Sequence, residues 1–308
     1  MAPPPRTTVT TVTGDISPEE LGVTLPHEHL LCDLHRITRV PDGILHDPEL
    51  ALREIAHFKR AGGSTLVDTT SLGLGRRPAL IKSISEESGI NVVMGSGWYR
   101  DPYLPPEITT RSTDDLAAEI VRDLETGVDG VRAGIIGEVG SDRDFISPAE
   151  ERILRAAGRA HLATGATITT HSIRCPLGID QLAILDHEGV EPHRVIIGHC
   201  DSHGDEDYHA AVAKAGAWVE FDLITGRSGY EVERRLRWIL RLAESGYLDR
   251  LLLSSDVCNK SHLHEHGGSG YDFVVSAFAE MLRDAGFGDA EFEQLFVVNP
   301  RRALTGYP

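Results

Sequence analysis

At 308 residues, 41% of them hydrophobic and 25% charged, the chain has the make-up of a soluble globular protein of one large or two ordinary domains. A formal charge of −17 excludes a surface that tracks nucleic-acid phosphates, which needs a net basic face. No window approaches the ~18 apolar residues of a membrane span, and the opening MAPPPRTTVTTVTGD lacks the apolar centre of a signal peptide. Cys32, Cys175, Cys200 and Cys258 form no C-x-x-C pair, so reduced thiols in a cytoplasmic protein are expected.

Short apolar runs recur along the chain, each followed by a polar loop and a helical pattern. They are GVTL (22–25), STLVDTT (64–70), NVVMGSG (91–97), AGIIGEVG (133–140), ATITTHS (166–172), RVIIGHCD (194–201), AWVEFDL (217–223) and RLLLSSD (250–256). Several are continuous rather than alternating, as parallel strands covered on both faces require. Between them, residues 114–127 place Leu116, Ile120, Val121 and Leu124 on one helical face. Ser147, Pro148 and Glu150 form a capping box with proline at the first helical position, and Gly165 supplies a stop. Eight strands with helical connections predict an α/β fold, a single (β/α)8 TIM barrel over residues 1–308. A doubly wound open sheet is the alternative, but no G-x-G-x-x-G follows any strand.

Ligand-type side chains fall at the ends of these strands. His27 and His29 follow the first, in VTLPHEHLLCD, and i and i+2 share a face of an extended chain. Glu138 comes near the end of the fourth run, His171 at the end of the fifth, His199 at the end of the sixth, and Asp256 ends the eighth. In a barrel all these ends meet at the C-terminal mouth, where active sites are built. Each residue has an ordinary alternative: a satisfied core histidine, an ion-pair partner, a helix cap. Six together would be costly to bury unpaired, and a pair of divalent metal ions resolves that cost. Zinc suits this set first, and manganese or cobalt is compatible.

The motifs TVTGDISPEELGVTLPHEHLLCD, THS, IGHCD, SSDV, GGSGYDF and NPRR resemble the phosphotriesterase family of the amidohydrolase superfamily. The resemblance implies a TIM barrel with a binuclear centre, often in a homodimer, and hydrolysis by a hydroxide shared between the metals. It assigns His27, His29 and Asp256 to one ion and His171 and His199 to the other. Many members bridge the ions with a carboxylated lysine on the fourth strand. Here that stretch reads RAGIIGEVG, so Glu138 is the expected bridge, as in the phosphotriesterase-homology subgroup. Glu28 turns away from its two neighbours by alternation.

Asp256 is expected to shuttle the proton to the leaving group, and Tyr99 resembles a tyrosine that lactonase relatives place at the metals. Trp98, Arg174, Arg227 and Lys260 are candidate substrate contacts. Cations stand in nearly every loop after a strand (Arg76, Arg77, Arg100, Arg143, Arg174, Arg227, Lys260), which suggests a small-molecule substrate with an anionic tail; surface ion pairs are the competing account. His262, His264 and His266 in KSHLHEHGG are expected to be solvated or hydrogen-bonded, not ligands. The expected reaction is cleavage of an N-acyl amino acid amide, a lactone or an ester. An organophosphate triesterase and a non-catalytic binding protein on the same fold are the alternatives.

Overall fold

In a computed structural model, residues 3–307 are described. Eight strands form one parallel sheet in chain order: β1 (Thr24–Glu28), β2 (Thr65–Asp68), β3 (Asn91–Ser96), β4 (Ile135–Ser141), β5 (Ile168–Ser172), β6 (Val195–Ile197), β7 (Trp218–Phe221) and β8 (Leu251–Leu253). Each is followed by a helix: α1 (Pro48–Arg60), α2 (Pro78–Ser88), α3 (Thr113–Glu125), α4 (Pro148–Thr164), α5 (Gly178–His187), α6 (Glu206–Lys214), α7 (Gly229–Glu244) and α8 (Ala277–Asp284). This is the eightfold β/α barrel that the run spacing predicts. The first strand runs three residues beyond its apolar run, so His27 lies within it. At α4 the Ser147–Glu150 capping box forms as read, and Gly165 ends the helix in the left-handed region at φ 71°.

The ladder is continuous from β1 to β8, and side chains close the seam between first and last strands. Ser254 Oγ donates to His27 O at 2.8 Å and accepts from His27 N at 3.1 Å. The Glu28 carboxylate, fully buried, accepts from Ser254 Oγ and Ser255 N at 2.8 Å each and from Val257 N at 2.9 Å. Glu28 does turn from the histidines, and this seam is what it turns toward. Burial pushes its carboxyl up to about 7.

Two apolar layers result. Val67, Val93, Ile135, Ile196, Trp218 and Leu252, one from each of six strands, pack together and are covered by Val9, Leu21, Ala303 and Leu304. A larger core lies between strands and helices, with Ile55, Phe58, Ile81, Ile153 and Ile239 among its members. The period of two then dictates what stands beyond the first layer. Glu220 shares a face with Trp218 in β7, while Asp222, Ser254 and Asp256 lie just past the ends of β7 and β8. No helix among the described residues is long and apolar enough to cross a membrane.

Candidate metal centre

Alternation alone would turn His27 and Glu138 outward with Leu25 and Ile136 of the outer core; the pairing shifts register between Leu25 and Glu28 of β1 and between Ile136 and Val139 of β4, and there both side chains face the interior. His171 lies on β5 opposite Gly140 of β4, where a Cβ would come within 2.5 Å of the His171 Cβ. A glycine at 140 is therefore what admits the imidazole. His199 and Asp256 lie just past β6 and β8 with φ of 56° and 46°, in the left-handed region that non-glycine residues seldom adopt. Such backbone is held only where its surroundings demand it. For His199 the demand is an N–H donated to Asp222 Oδ2 at 2.9 Å; for Asp256 it is an N–H toward His27 O at 3.3 Å.

Glu138 occupies the middle. Its Oε2 is 2.8 Å from His171 Nδ1, 3.4 Å from His199 Nε2 and 3.6 Å from His27 Nε2, and its Oε1 is 3.5 Å from His29 Nε2. One carboxylate thus reaches both histidine pairs. His29 Nε2 is also 3.2 Å from Asp256 Oδ1. All six expected ligands come together. The sets His27, His29, Asp256 and Glu138, His171, His199 each place one ligand atom per residue within 4.8 Å of the others.

Behind these stand residues that orient them. Asp222 Oδ1 lies 2.7 Å from His199 Nδ1, and its Oδ2 is 3.1 Å from His27 Nδ1. Glu220 Oε2 is 3.2 Å from the same His27 nitrogen. Thr70 Oγ1 is 2.8 Å from His29 Nδ1. With Nδ1 engaged from outside, His27, His29 and His199 turn Nε2 toward Glu138, the arrangement that fixes a metal-binding tautomer. Asp222, Glu220 and Thr70 were not anticipated from sequence. Asp222 does sit at the end of the seventh apolar run, but a lone carboxylate there carries no more signal than a helix cap.

The charges fit a cationic guest. Burial would raise the Glu138 carboxyl, yet His171, His199 and His29 outweigh it and hold it well below the usual carboxylate range. Burial would lower His29, but the Asp256 and Glu138 carboxylates raise it to about 9. Burial and the neighbouring His199 bring His171 down to about 4 despite Glu138. The His171 Nδ1 and His199 Nε2 atoms are only 2.7 Å apart, and the Asp222 carboxylate raises His199 well above the usual imidazole range against the pull of burial. His27 Nε2 is buried with no hydrogen-bond partner among the described residues. Leaving such an atom unpaired costs about 1–3 kcal/mol, a cost that binding a metal removes. This orphaned nitrogen and the imidazole–carboxylate donor set fit two divalent ions.

The Tyr99 hydroxyl is 3.3 Å from His171 Nε2, and burial keeps its proton on well beyond the usual range. Trp98 is buried in the main core with Arg111 over its ring. Arg174 and Arg227 are exposed at the mouth and Lys260 is half-buried. Three cations of the loop pattern already have acidic partners, Arg143 among them with its Nε 3.8 Å from Asp142 Oδ2. Arg76 is buried against Asp123 at 2.7 Å, and Arg100 pairs with Asp142 while lying over the Tyr99 and Tyr103 rings.

Comparison with known proteins agrees with this geometry. The profile of the Phosphotriesterase family matches residues 7–304. A phosphotriesterase homology protein of Escherichia coli (strain K12) is 37% identical over 281 residues, 91% of this chain and 96% of that one. An N-acetyltaurine hydrolase of Dictyostelium discoideum is 34% identical over 277 residues, 85% of this chain and 74% of that one. The crystal structure of a lactonase from Listeria monocytogenes superposes with a TM-score of 0.89 at 31% identity, covering 97% of this chain and 99% of that one. The chain therefore belongs to the phosphotriesterase family and is a metal-dependent hydrolase.

Proposed function

We propose that the protein is a binuclear hydrolase that cleaves a carboxylic amide of the N-acyl amino acid type, with a lactone as the second substrate class. The observation that carries this reading is Glu138, one buried carboxylate within 3.6 Å of His27, His29, His171 and His199 at once. A glutamate in that place also separates the chain from lysine-bridged triesterases. The amide reading draws support from the similarity to an N-acetyltaurine hydrolase, and the lactone reading from the similarity to a lactonase. The full reading is a cytoplasmic homodimer of single-domain barrels, residues 1–308, loaded with zinc.

His27, His29 and Asp256 would hold one ion, His171 and His199 the other, with Glu138 between them. Ions held there would supply activated water near neutral pH and Lewis acidity toward the scissile carbonyl. The protein's own contribution is position and proton movement. Asp256 is the more open of the two ligand carboxylates, its side chain 11% exposed against 2% for Glu138, so it is the one a substrate can reach. Its Oδ oxygens accept the proton released on attack and return it to the leaving nitrogen or oxygen. Tyr99, held protonated by burial, offers its hydroxyl as a hydrogen-bond donor beside His171. Arg174, Arg227 and Lys260 stand at the mouth, where they would meet an anionic substrate tail.

The test is a hydrolysis panel on metal-reconstituted protein: N-acyl amino acids and N-acyl sulfonates, lactones of differing charge, and aryl phosphotriesters, with metal content measured alongside. Turnover of the amides above the others supports the first reading and turnover of lactones the second. Preferential turnover of phosphotriesters refutes both, and fewer than one ion per chain after reconstitution refutes the binuclear centre.

A further inference from the structure

One group of metal-binding side chains lies outside the centre and serves none of its ligands. His57 is on α1. His264 opens a short turn, His264–His266, in the loop after β8, and Asp272 follows eight residues later. His264 Nε2 lies 2.6 Å from Asp272 Oδ1. The His57 and His264 rings stack with centroids 4.4 Å apart and planes 26° from parallel. One ligand atom from each of the three residues lies within 4.8 Å of the others, and all three are half-buried, open to ions from solvent.

We propose that His57, His264 and Asp272 form a separate site for a divalent ion of the zinc type, and that the ion fastens the loop after β8 to α1. Two imidazoles and a carboxylate, with water in a fourth position, are a zinc donor set. Around one tetrahedral ion at ~2.0–2.1 Å, ligand atoms stand ~3.3 Å apart, so the three side chains reach it by small rotations. The ion takes the place of the hydrogen between His264 Nε2 and Asp272 Oδ1, which on the neutral imidazole moves to Nδ1, so the ring binds as a neutral ligand.

Two further observations show that this place is built. Gly270 has a φ of 62°, and a Cβ there would lie 2.5 Å from His264 Cδ2, 2.7 Å from its Nε2 and 2.9 Å from Asp272 Oδ1. The glycine keeps open the space around the donor pair. On the helix side, the buried Glu54 carboxylate accepts from His264 N and Glu265 N at 3.0 Å each, which sets the His264 backbone against α1 one turn from His57. The His57 ring stacks on His264 and makes no side-chain hydrogen bond among the described residues, so its nitrogens are available.

The site matters because of what the loop carries. It leaves the centre at Asp256, bears Lys260 and His262, and returns at Tyr271, whose hydroxyl donates to His29 O at 2.8 Å. An ion at His264 and Asp272 therefore stiffens a segment attached at both ends to the catalytic centre.

The test compares wild type with His57→Gln and Asp272→Asn, each first loaded at the main centre and then equilibrated against buffered free Zn2+. Zinc per chain is read by elemental analysis, and amide hydrogen exchange is followed over residues 260–272. The expected result is one more ion per chain in wild type than in either variant, with zinc-dependent slowing of exchange in wild type alone. Equal zinc content in all three proteins overturns the proposal. A failed binuclear reading would lower every count equally and leave the difference of one intact. His57→Gln alters only a half-buried side chain on a helix already capped by Asp47, so folding of that variant is expected and is checked by its far-UV spectrum.

Discussion

Asp222→Asn separates a metal centre from a merely packed cluster of histidines. One Asp222 oxygen accepts from His199 Nδ1 at 2.7 Å, while the other accepts from the His199 backbone at 2.9 Å and faces His27 Nδ1 at 3.1 Å. An asparagine of the same shape keeps one acceptor oxygen and turns an NH2 toward a site that needs an acceptor. One imidazole must then give up its outer hydrogen bond or take the other tautomer, which places a proton on the Nε2 meant for the ion. Loss of such an outer partner costs roughly 10–100-fold in metal affinity, or about 1.4–2.8 kcal/mol. Because His27 belongs to one ligand set and His199 to the other, both ions are expected to weaken together. Chelator competition on the zinc-loaded protein, with metal content checked by elemental analysis, reads the effect. An Asp222→Asn protein that folds and binds both ions as tightly as wild type refutes the argument.

Asp256→Asn should lower turnover by roughly 10²–10⁴-fold, the usual worth of a positioned proton-transfer group, while much of the metal stays bound; near-wild-type turnover would remove Asp256 from the proton path. Glu28→Gln should destabilise the fold by about 2–4 kcal/mol, since an amide cannot accept from Ser254, Ser255 and Val257 as a carboxylate does; an unchanged urea midpoint would contradict this. His161 is fully buried with Nδ1 2.7 Å from Ala166 O, and burial lowers its pKa from 6.5 to about 4. A depressed histidine favours the folded state above the unfolded value of 6.5, and that contribution is lost as pH falls through about 4. Wild type should thus lose about 3 kcal/mol more than His161→Gln between about pH 7.5 and about pH 4; parallel urea curves for the two proteins would rule this out.

The barrel was legible because parallel strands covered on both sides leave apolar runs, and each of the eight runs overlaps a strand. Boundaries were less so. The chain stays extended through His27 and Glu28, where polar residues conceal a strand from any hydrophobic pattern. The six candidate ligands were legible since each is a metal-type residue at or near the end of an apolar run. Asp222 and Glu220 were not: in WVEFD the side that reads as polar is the barrel interior, and only closure of the sheet makes it so. His57 lay on an ordinary amphipathic helix with nothing local to connect it to His264. Cations in loops could be counted from sequence, but only coordinates reveal that Arg76 is committed to Asp123 and Arg100 to Asp142.

The Glu28–Ser254 seam has a consequence for the order in which the molecule forms. Its hydrogen bonds join residues 226 to 229 positions apart, and they tie the first strand of the barrel to the loop of the last. During synthesis from the N-terminus, β1 through β7 can pair in sequence while Glu28 still lacks every one of its donors. A carboxylate waiting for partners at an open sheet edge resists burial, so the edge stays wet and ionised until the eighth strand emerges. That same late event brings Asp256 to His29. Assembly of the active centre and completion of the barrel are thus a single closing step, and a chain truncated before β8 would have neither.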